Sequence, residues 1–333
     1  MSAEDKAGET VAYGDAIRLA MEYLLDNYPS VLAIGQGLWS PWYVGNTMLD
    51  LDQKFGRERI IDTPVSEAAC TGAAIGASLF GYRPIVVHPR MDFMILAADQ
   101  IVNQAAKWSY MLGGQVSPAV TIRSIVNRGG EQGAQHSQAL HSWFAHIPGL
   151  RVVMPATAAD ARDLLVSSTL SDDPVLYIDD RWLYDWEEEL PPIQEKPLET
   201  IKPRVINEGS DVTMVAASYS VRQCMDAAAE LLKEDISAEV IDLRVVNPLD
   251  LSSAVTSVQK TGRLLSVDGG WSTCGLAGEV IAGVAERLSP REWRASPRRL
   301  TLPDAPAPSS VVLERLYYTE TSEIVSAAKA LLA

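Results

Sequence analysis

Cysteine is scarce in this chain: 3 in 333 residues, Cys70, Cys224 and Cys274, with no CxxC pair. That argues against a disulfide framework and a cysteine-bound zinc, and it suits a reducing compartment. Histidine and phenylalanine are equally thin, at 4 each. No GxGxxG follows a strand, and no GxxxxGK[ST], HExxH or GxSxG occurs, so nucleotide loops, zincin helices and nucleophile elbows are not indicated. The glycines of "VDGGW" (267–271) lack the nucleotide-binding spacing and fit a tight turn better. Positive charge is short, with 28 Lys and Arg against 43 Asp and Glu, a net of −15. A nucleic-acid binder would show a basic stripe instead, although a local pocket can still oppose the overall charge. Long apolar runs are missing too. The longest is the Ala/Gly stretch after Glu67, which Arg83 and Pro84 end, so no membrane span is expected. The opening "MSAEDKAGET" is polar and acidic, unlike a secretory signal, and a cytoplasmic protein is expected.

What is present is a core: 47% of the residues are hydrophobic, enough for two domains of ordinary size. Apolar runs at 31–37, 83–89, 118–123, 150–155 and 174–179 read as buried strands. Amphipathic stretches at 97–112 and 158–170 separate some of them. The alternation predicts an α/β fold with a parallel sheet, its helices on both faces. The pattern breaks at "DWEEELPPIQEKPLETIKP" (185–203), which has charge and proline but no period and reads as a linker. A second α/β series follows, with strands at 211–218, 238–244 and 262–268 and helices ending near 234 and 288. The expected organisation is a first doubly wound domain over 8–186, a linker over 187–203, and a second over 204–333. "PDAPAPSS" (303–310) reads as a surface loop.

Three places could carry chemistry. In "DTPVSEAACTGAAIGASLFG" (62–81), Thr63 or Ser66 can cap a helix with Pro64 in an early position and Glu67 in its first turn. An acid there complements the helix dipole, worth only a few tenths of a kcal/mol. Yet the residues that follow, Ala68, Ala69, Gly72, Ala73, Gly76 and Ala77, are so small that another helix or a flat ligand can approach closely. The second place, "NRGGEQGAQHSQALHSWFAHIPGL" (127–150), holds His136, His141 and His146 at intervals of five, which is no i, i+4 metal face. His136, first beyond the glycine-rich loop, is either an acid–base group near a pocket or a histidine packed at a helix start. His88, at a strand end, reads as structural. The third is Phe93, at a strand-to-helix turn, where a ring either stacks on a heterocycle or fills the core. Trp108, Tyr110 and Trp143 read as helix-face packing or a subunit interface.

Together, "RIIDTPVSEAACTGAAIGASLFGYRPIVV", "DQIVNQAAKWSYMLGG" and "GAQHSQALHSWFAHIPGLRVVMPATAADARDLL" resemble the β subunit of thiamine-diphosphate-dependent 2-oxoacid dehydrogenases, in the transketolase-like superfamily. "EVIDLRVVNPLD" (239–250) carries the resemblance into the second domain. The resemblance implies a pyrimidine-binding domain followed by a transketolase C-terminal-type domain. It implies that Glu67 contacts N1′ of the cofactor's aminopyrimidine, that Phe93 stacks on that ring, and that Val65, Pro89 and Gln36 are further cofactor contacts. His136 would face the reacting carbon. A carboxyl shielded from water at Glu67 would hold or share the proton that activates the ring, and the thiazolium would take up electrons as CO2 leaves.

The resemblance also implies an α partner holding the diphosphate and Mg²⁺, an α2β2 assembly, and a lipoyl acyltransferase core as acyl acceptor. A potassium turn over Ser168, Thr169, Ser171 and Asp173 is one option; an ordinary helix-to-strand turn is the other. Two positions depart from the family pattern. Gly35-Gln36-Gly37 replaces Gly-Glu-Glu, and Asp268-Gly269 replaces a His-Glu pair. The alternative reading is therefore a two-chain transketolase-like or acyloin-forming enzyme that passes its fragment to an aldehyde. A non-catalytic paralogue is a third, against which Glu67, Phe93 and His136 together speak.

The family's GDG…N diphosphate motif does not occur in this chain. Calorimetric titration of thiamine diphosphate into the chain alone is expected to give weak, non-saturating heats. Tight one-to-one binding would contradict a shared cofactor site.

Overall fold

The computed structural model describes residues 8–333, so the start of the acidic N-terminal stretch lies outside the described residues. The chain forms two compact units. One comprises the chain up to Arg128 together with Trp143–Ile201, the other Gly129–Ser142 together with Lys202–Ala333.

In chain order the first part contains β1 (Thr10–Ala12), α1 (Tyr13–Asn27), β2 (Val31–Gly35), α2 (Leu51–Phe55), β3 (Ile60–Asp62), α3 (Glu67–Ser78), β4 (Arg83–His88) and α4 (Met91–Met94). Then come α5 (Ala106–Met111), β5 (Thr121–Val126), α6 (His141–Ala145), β6 (Arg151–Val153), α7 (Ala158–Leu170), β7 (Val175–Asp180) and β8 (Glu187–Glu189). Strands of the first unit line up β6-β7-β5-β4-β2-β3, every pairing parallel. β5 and β7 are buried at every position, which is why their sequences lack a polar alternation. The expected helix at 158–170 forms as α7, capped by Thr157, whose Oγ1 accepts from Asp160 N–H at 3.2 Å.

Three stretches differ from expectation. "VDGGW" (267–271), read as a tight turn, is the end of a strand over Leu264–Trp271. "EEE" at 187–189, inside the supposed linker, pairs antiparallel with β1, Thr10 opposite Glu189 and Ala12 opposite Glu187. The stretch 97–112 is not one α-helix: a π-helix over Gln100–Ala105 precedes α5, a widening that side-chain periodicity does not encode.

The second unit carries β9 (Arg204–Asn207), β10 (Val212–Ala216), α8 (Tyr219–Leu232), β11 (Ala238–Asp242), β12 (Val245–Asn247) and α9 (Ser252–Thr261). It continues with β13 (Leu264–Trp271), α10 (Leu276–Ala285), β14 (Arg298–Leu302), α11 (Val311–Tyr317) and α12 (Thr321–Lys329). Its sheet runs β14-β13-β10-β11-β9, parallel except for β9. Gly129–Ser142, drawn with the first domain on sequence, groups with this unit through identifiable contacts. Gly129 N–H donates to Tyr318 Oη at 3.3 Å, Glu131 N–H to Glu314 Oε1 at 2.8 Å, and Leu276 N–H to Ser142 Oγ at 3.0 Å.

One buried polar knot ties β5 to β7. Arg123 donates through Nε and Nη2 to both oxygens of Asp179, at 3.1 and 2.8 Å, with both side chains fully buried. Thr47 Oγ1 and Tyr184 Oη, at 2.8 and 2.9 Å, accept further bonds from the same guanidinium. Removing one partner strands the other charge without water. Arg123→Met is expected to lower unfolding free energy by about 3–5 kcal/mol, measured by urea denaturation; a loss under about 1 kcal/mol would show the knot to be dispensable.

Candidate active site

Parallel strands deliver their carboxyl ends to one edge of a sheet, where loops and helix N-termini collect. In the first unit β4, β2 and β3 are neighbours. The residues at and after their ends form one cleft, lined by Gly35 and Gln36, by Thr63 to Glu67 without Val65, and by Cys70 and Val86 to Pro89. Gly35 is required where β2 meets β4, since a Cβ there would stand 2.4 Å from the Val87 carbonyl oxygen.

Glu67 is the first residue of α3 and is half-buried. Its carboxylate sits at the positive end of the helix dipole. The helix starts after Ser66, the later of the two cap positions expected, with Glu67 in its first turn as expected. Pro64 precedes it, and Ser66 is the N-cap residue without a side-chain cap, its Oγ donating instead to Val65 O at 2.7 Å. Thr63 Oγ1 is buried in the cleft wall with no hydrogen-bond partner, the kind of group a polar ligand satisfies. Below it, Thr71 Oγ1 lies 3.1 Å from His88 Nε2, and both residues are buried. Burial without a charged partner pushes the His88 imidazole down to about 4, so it is neutral at ordinary pH. Glu67 supplies the one carboxyl group among the residues lining the cleft.

Of the residues singled out on sequence, Gln36, Glu67 and Pro89 meet in this cleft. Val65 points outward, 66% exposed, between two lining residues. Phe93 lies on α4, 38% exposed and outside the lining. His136 sits half-buried in Gly129–Ser142, in the second unit. Sequence reasoning missed Thr63, Cys70 and His88 as wall residues, though each stands at or just beyond a strand end, or on the first turn of α3.

The turn considered for potassium behaves differently. Arg83 Nη1 donates to the carbonyls of Thr169 and Ser171, at 3.2 and 2.8 Å, and Asp173 pairs with Arg151 at 2.7 Å. Those oxygens accept from cationic side chains of the first unit. Ser168 is buried beside them, its Oγ without a hydrogen-bond partner. Tyr110 and Trp143, 91% and 63% exposed, do not pack in the core, whereas Trp108 is half-buried with its Nε1–H on Gln104 Oε1 at 2.9 Å. No helix among the described residues is long and apolar enough to cross a membrane.

The cleft is shallow, with interior room for about one water molecule, far below the roughly 300 Å³ at which small-molecule pockets begin. Its chemistry nevertheless suits an aminopyrimidine edge: one carboxylate, one unsatisfied hydroxyl, and apolar walls from Val86, Val87 and Pro89.

Comparison with known proteins gives matches over both halves of the chain. Residues 9–185 match the family described as "Transketolase, pyrimidine binding domain", and residues 202–324 match "Transketolase, C-terminal domain". The chain is 38% identical to the acetoin:2,6-dichlorophenolindophenol oxidoreductase subunit beta of Cupriavidus necator, over 91% of this chain and 85% of that one. It is 37% identical to the mitochondrial pyruvate dehydrogenase E1 component subunit beta of Dictyostelium discoideum, over 97% and 91%. In fold it matches a solved structure titled "Split gene transketolase, inactive beta4 tetramer", with a TM-score of 0.75, 22% identity, and 97% and 98% of the two chains covered.

His88 favours its neutral form on folding, so its contribution to stability is complete above an unfolded-state value near 6.5 and is lost as pH falls through 6.5 toward 4. Between pH 7 and pH 5 the wild type is expected to lose about 2 kcal/mol more stability than His88→Gln, read from paired urea titrations. Parallel pH curves for the two proteins would contradict a neutral buried imidazole.

Proposed function

The chain belongs to the transketolase family, carrying its pyrimidine-binding and C-terminal domains, and from that premise we propose that it is the β subunit of a two-chain, thiamine-diphosphate-dependent 2-oxoacid dehydrogenase. The reading rests chiefly on Glu67, a carboxylate at the first position of α3, in a cleft where three parallel strands end. The names of its relatives, subunits of pyruvate and acetoin enzymes, support the same class.

Thiamine diphosphate, when bound, supplies an acidic carbon that adds to a 2-oxo group and an electron sink for the pair released as CO2 departs. This chain's share is to grip and polarise. Glu67 would hold the aminopyrimidine edge and share a proton with its ring nitrogen. Thr63 would offer its spare hydroxyl to the same ring, while Val86, Val87 and Pro89 exclude water from one side of it. Val65 and Phe93, exposed in this chain, would close over the cofactor with a partner chain. Gln36, whose Nε2 donates to Tyr43 Oη at 2.7 Å, would present its carbonyl oxygen to the cleft. His136 would place or remove a proton on the substrate oxygen.

The α partner would hold the diphosphate and Mg²⁺, in an α2β2 heterotetramer whose interfaces cover aromatics such as Tyr110 and Trp143. A lipoyl-bearing acyltransferase is the acceptor in this reading. Gln36, an uncharged amide at the mouth, supports a second one, in which an aldehyde takes the fragment.

Glu67→Gln, co-expressed with the neighbouring α chain, is expected to reduce kcat for CO2 release from 2-oxoacids by about 10²–10⁴-fold while retaining the cofactor. An active variant would overturn the role given to Glu67. His136→Ala should lower kcat by about 10²-fold or more.

A further inference from the structure

A second hollow opens at the opposite edge of the first unit's sheet. Arg151 begins β6 and Asp173 lies just before β7. The hollow therefore gathers at the amino ends of parallel strands, whereas the candidate cleft lies at carboxyl ends. Its volume is about 600 Å³, within the range of roughly 300–1,000 Å³ typical of small-molecule sites. One wall comes from the end of α7, the other from the stretch after β8. That stretch is held in place twice. Leu198 is buried, and Glu195 Oε1 accepts from Tyr23 Oη at 2.7 Å and from Tyr28 Oη. Burial and the Glu195 carboxylate push the Tyr28 phenol up to about 12, so it remains a donor at ordinary pH.

Two carboxylates on the walls are already matched. Asp173 pairs with Arg151 at 2.7 Å, and Asp172 with Arg83 at 2.6 Å. Three other polar groups are not. Lys196 and Glu199 pair neither with each other nor with another described residue. Ser167, only 2% exposed, has an Oγ with no hydrogen-bond partner. A helical hydroxyl ordinarily turns back to the carbonyl four residues earlier. Thr169 does so, on Leu165 O at 2.9 Å; Ser167 does not. A buried hydroxyl left over in this way is a group that a ligand satisfies. Leu170, Pro197 and Leu198 supply apolar surface to the same cavity. A pure anion would meet four carboxylates here, and a pure cation would leave Lys196 without a counter-charge. A molecule carrying one charge of each sign matches both.

We propose that this cavity binds an α-amino acid with an apolar side chain, at a site apart from the cofactor cleft. Glu199 and the second oxygen of Glu195 take its ammonium. Lys196 and the Ser167 hydroxyl take its carboxylate, and the apolar residues take its hydrocarbon. Because Glu195 and Leu198 are anchored before the ligand arrives, little ordering cost remains. No residue of the cofactor cleft lines this cavity, so its occupancy does not depend on the role given to Glu67.

Calorimetric titration of L-leucine into the full chain tests the site. Two analogues isolate the charges: 3-methylbutylamine lacks the carboxylate, and 4-methylpentanoate lacks the ammonium. Leucine is expected to give saturable heat, and each analogue to bind about 10-fold or more weakly. Lys196→Met should weaken leucine about 10-fold while leaving 3-methylbutylamine unchanged. Glu199→Gln should weaken leucine to a similar extent while leaving 4-methylpentanoate unchanged. Both side chains are exposed, so the fold tolerates both changes. Absence of saturable heat with leucine, an analogue that binds as tightly, or an unchanged leucine affinity in either variant overturns the site.

Discussion

Everything proposed for this chain depends on three parallel strands, β4, β2 and β3, ending side by side. Parallel pairing aligns their carboxyl ends, and the close pass at Gly35 leaves no room for a side chain between β2 and the Val87 carbonyl. The segments after these ends therefore share one small space. Because β3 leads directly into α3, the carboxylate on that helix's first residue projects into it. Ala69, Ala73 and Gly76 leave the outer surface of α3 nearly bare, and a Cβ on Gly76 would meet nothing within 4 Å. A partner surface can approach such a helix to backbone distance. In the proposed function, sheet order, the glycine and the small-residue helix together would place an acid where a flat ring could be clamped from the far side.

Much of this was legible in the sequence, for physical reasons. Buried parallel strands must be uniformly apolar, so "RPIVVH" and "TIRSIV" announce themselves. Thr157 before "AADARDLL" marks the start of α7 because a hydroxyl satisfies an open N–H. Gln36, Glu67 and Pro89 were all named from sequence, and the fold brings them to one cleft. Other features resisted for equally physical reasons. Ser66 has the side chain of a cap, but its Oγ turns back to Val65 O. The π-helix at 100–105 changes hydrogen-bond register without changing composition. The acidic "EEE" forms a strand only because β1 lies beside it. Gly129–Ser142 leaves the unit of its sequence neighbours through contacts to Tyr318, Glu314 and Leu276, all remote in the chain.

The second unit raises a separate question about Asp268, one of the two departures from the family pattern. His141 Nε2 lies 2.9 Å from Asp268 Oδ1, with both side chains buried. The same carboxylate accepts from Gly270 N–H at 2.9 Å and from Ala277 N–H at 3.4 Å. Burial alone would raise its proton affinity, but His141 and these N–H groups hold it below the usual carboxylate range. Asp268 is thus a stable anion anchoring the segment that carries His136. A departure in sequence becomes a structural pairing, since His141 supplies the complementary ring.

Charge is finally a local matter here. The chain as a whole carries −15, which repels an anionic reactant at long range, though salt limits that effect to roughly 10 Å. Within that distance the reactant meets a different surface. His88 is kept neutral by burial and Gln36 stands as an uncharged amide. Glu67 is the one carboxyl group lining the cleft. A carboxylate needed for proton handling would ordinarily discourage a negatively charged reactant. Leaving the rest of the wall uncharged confines that repulsion to a single group, the least that a proton-handling site can carry.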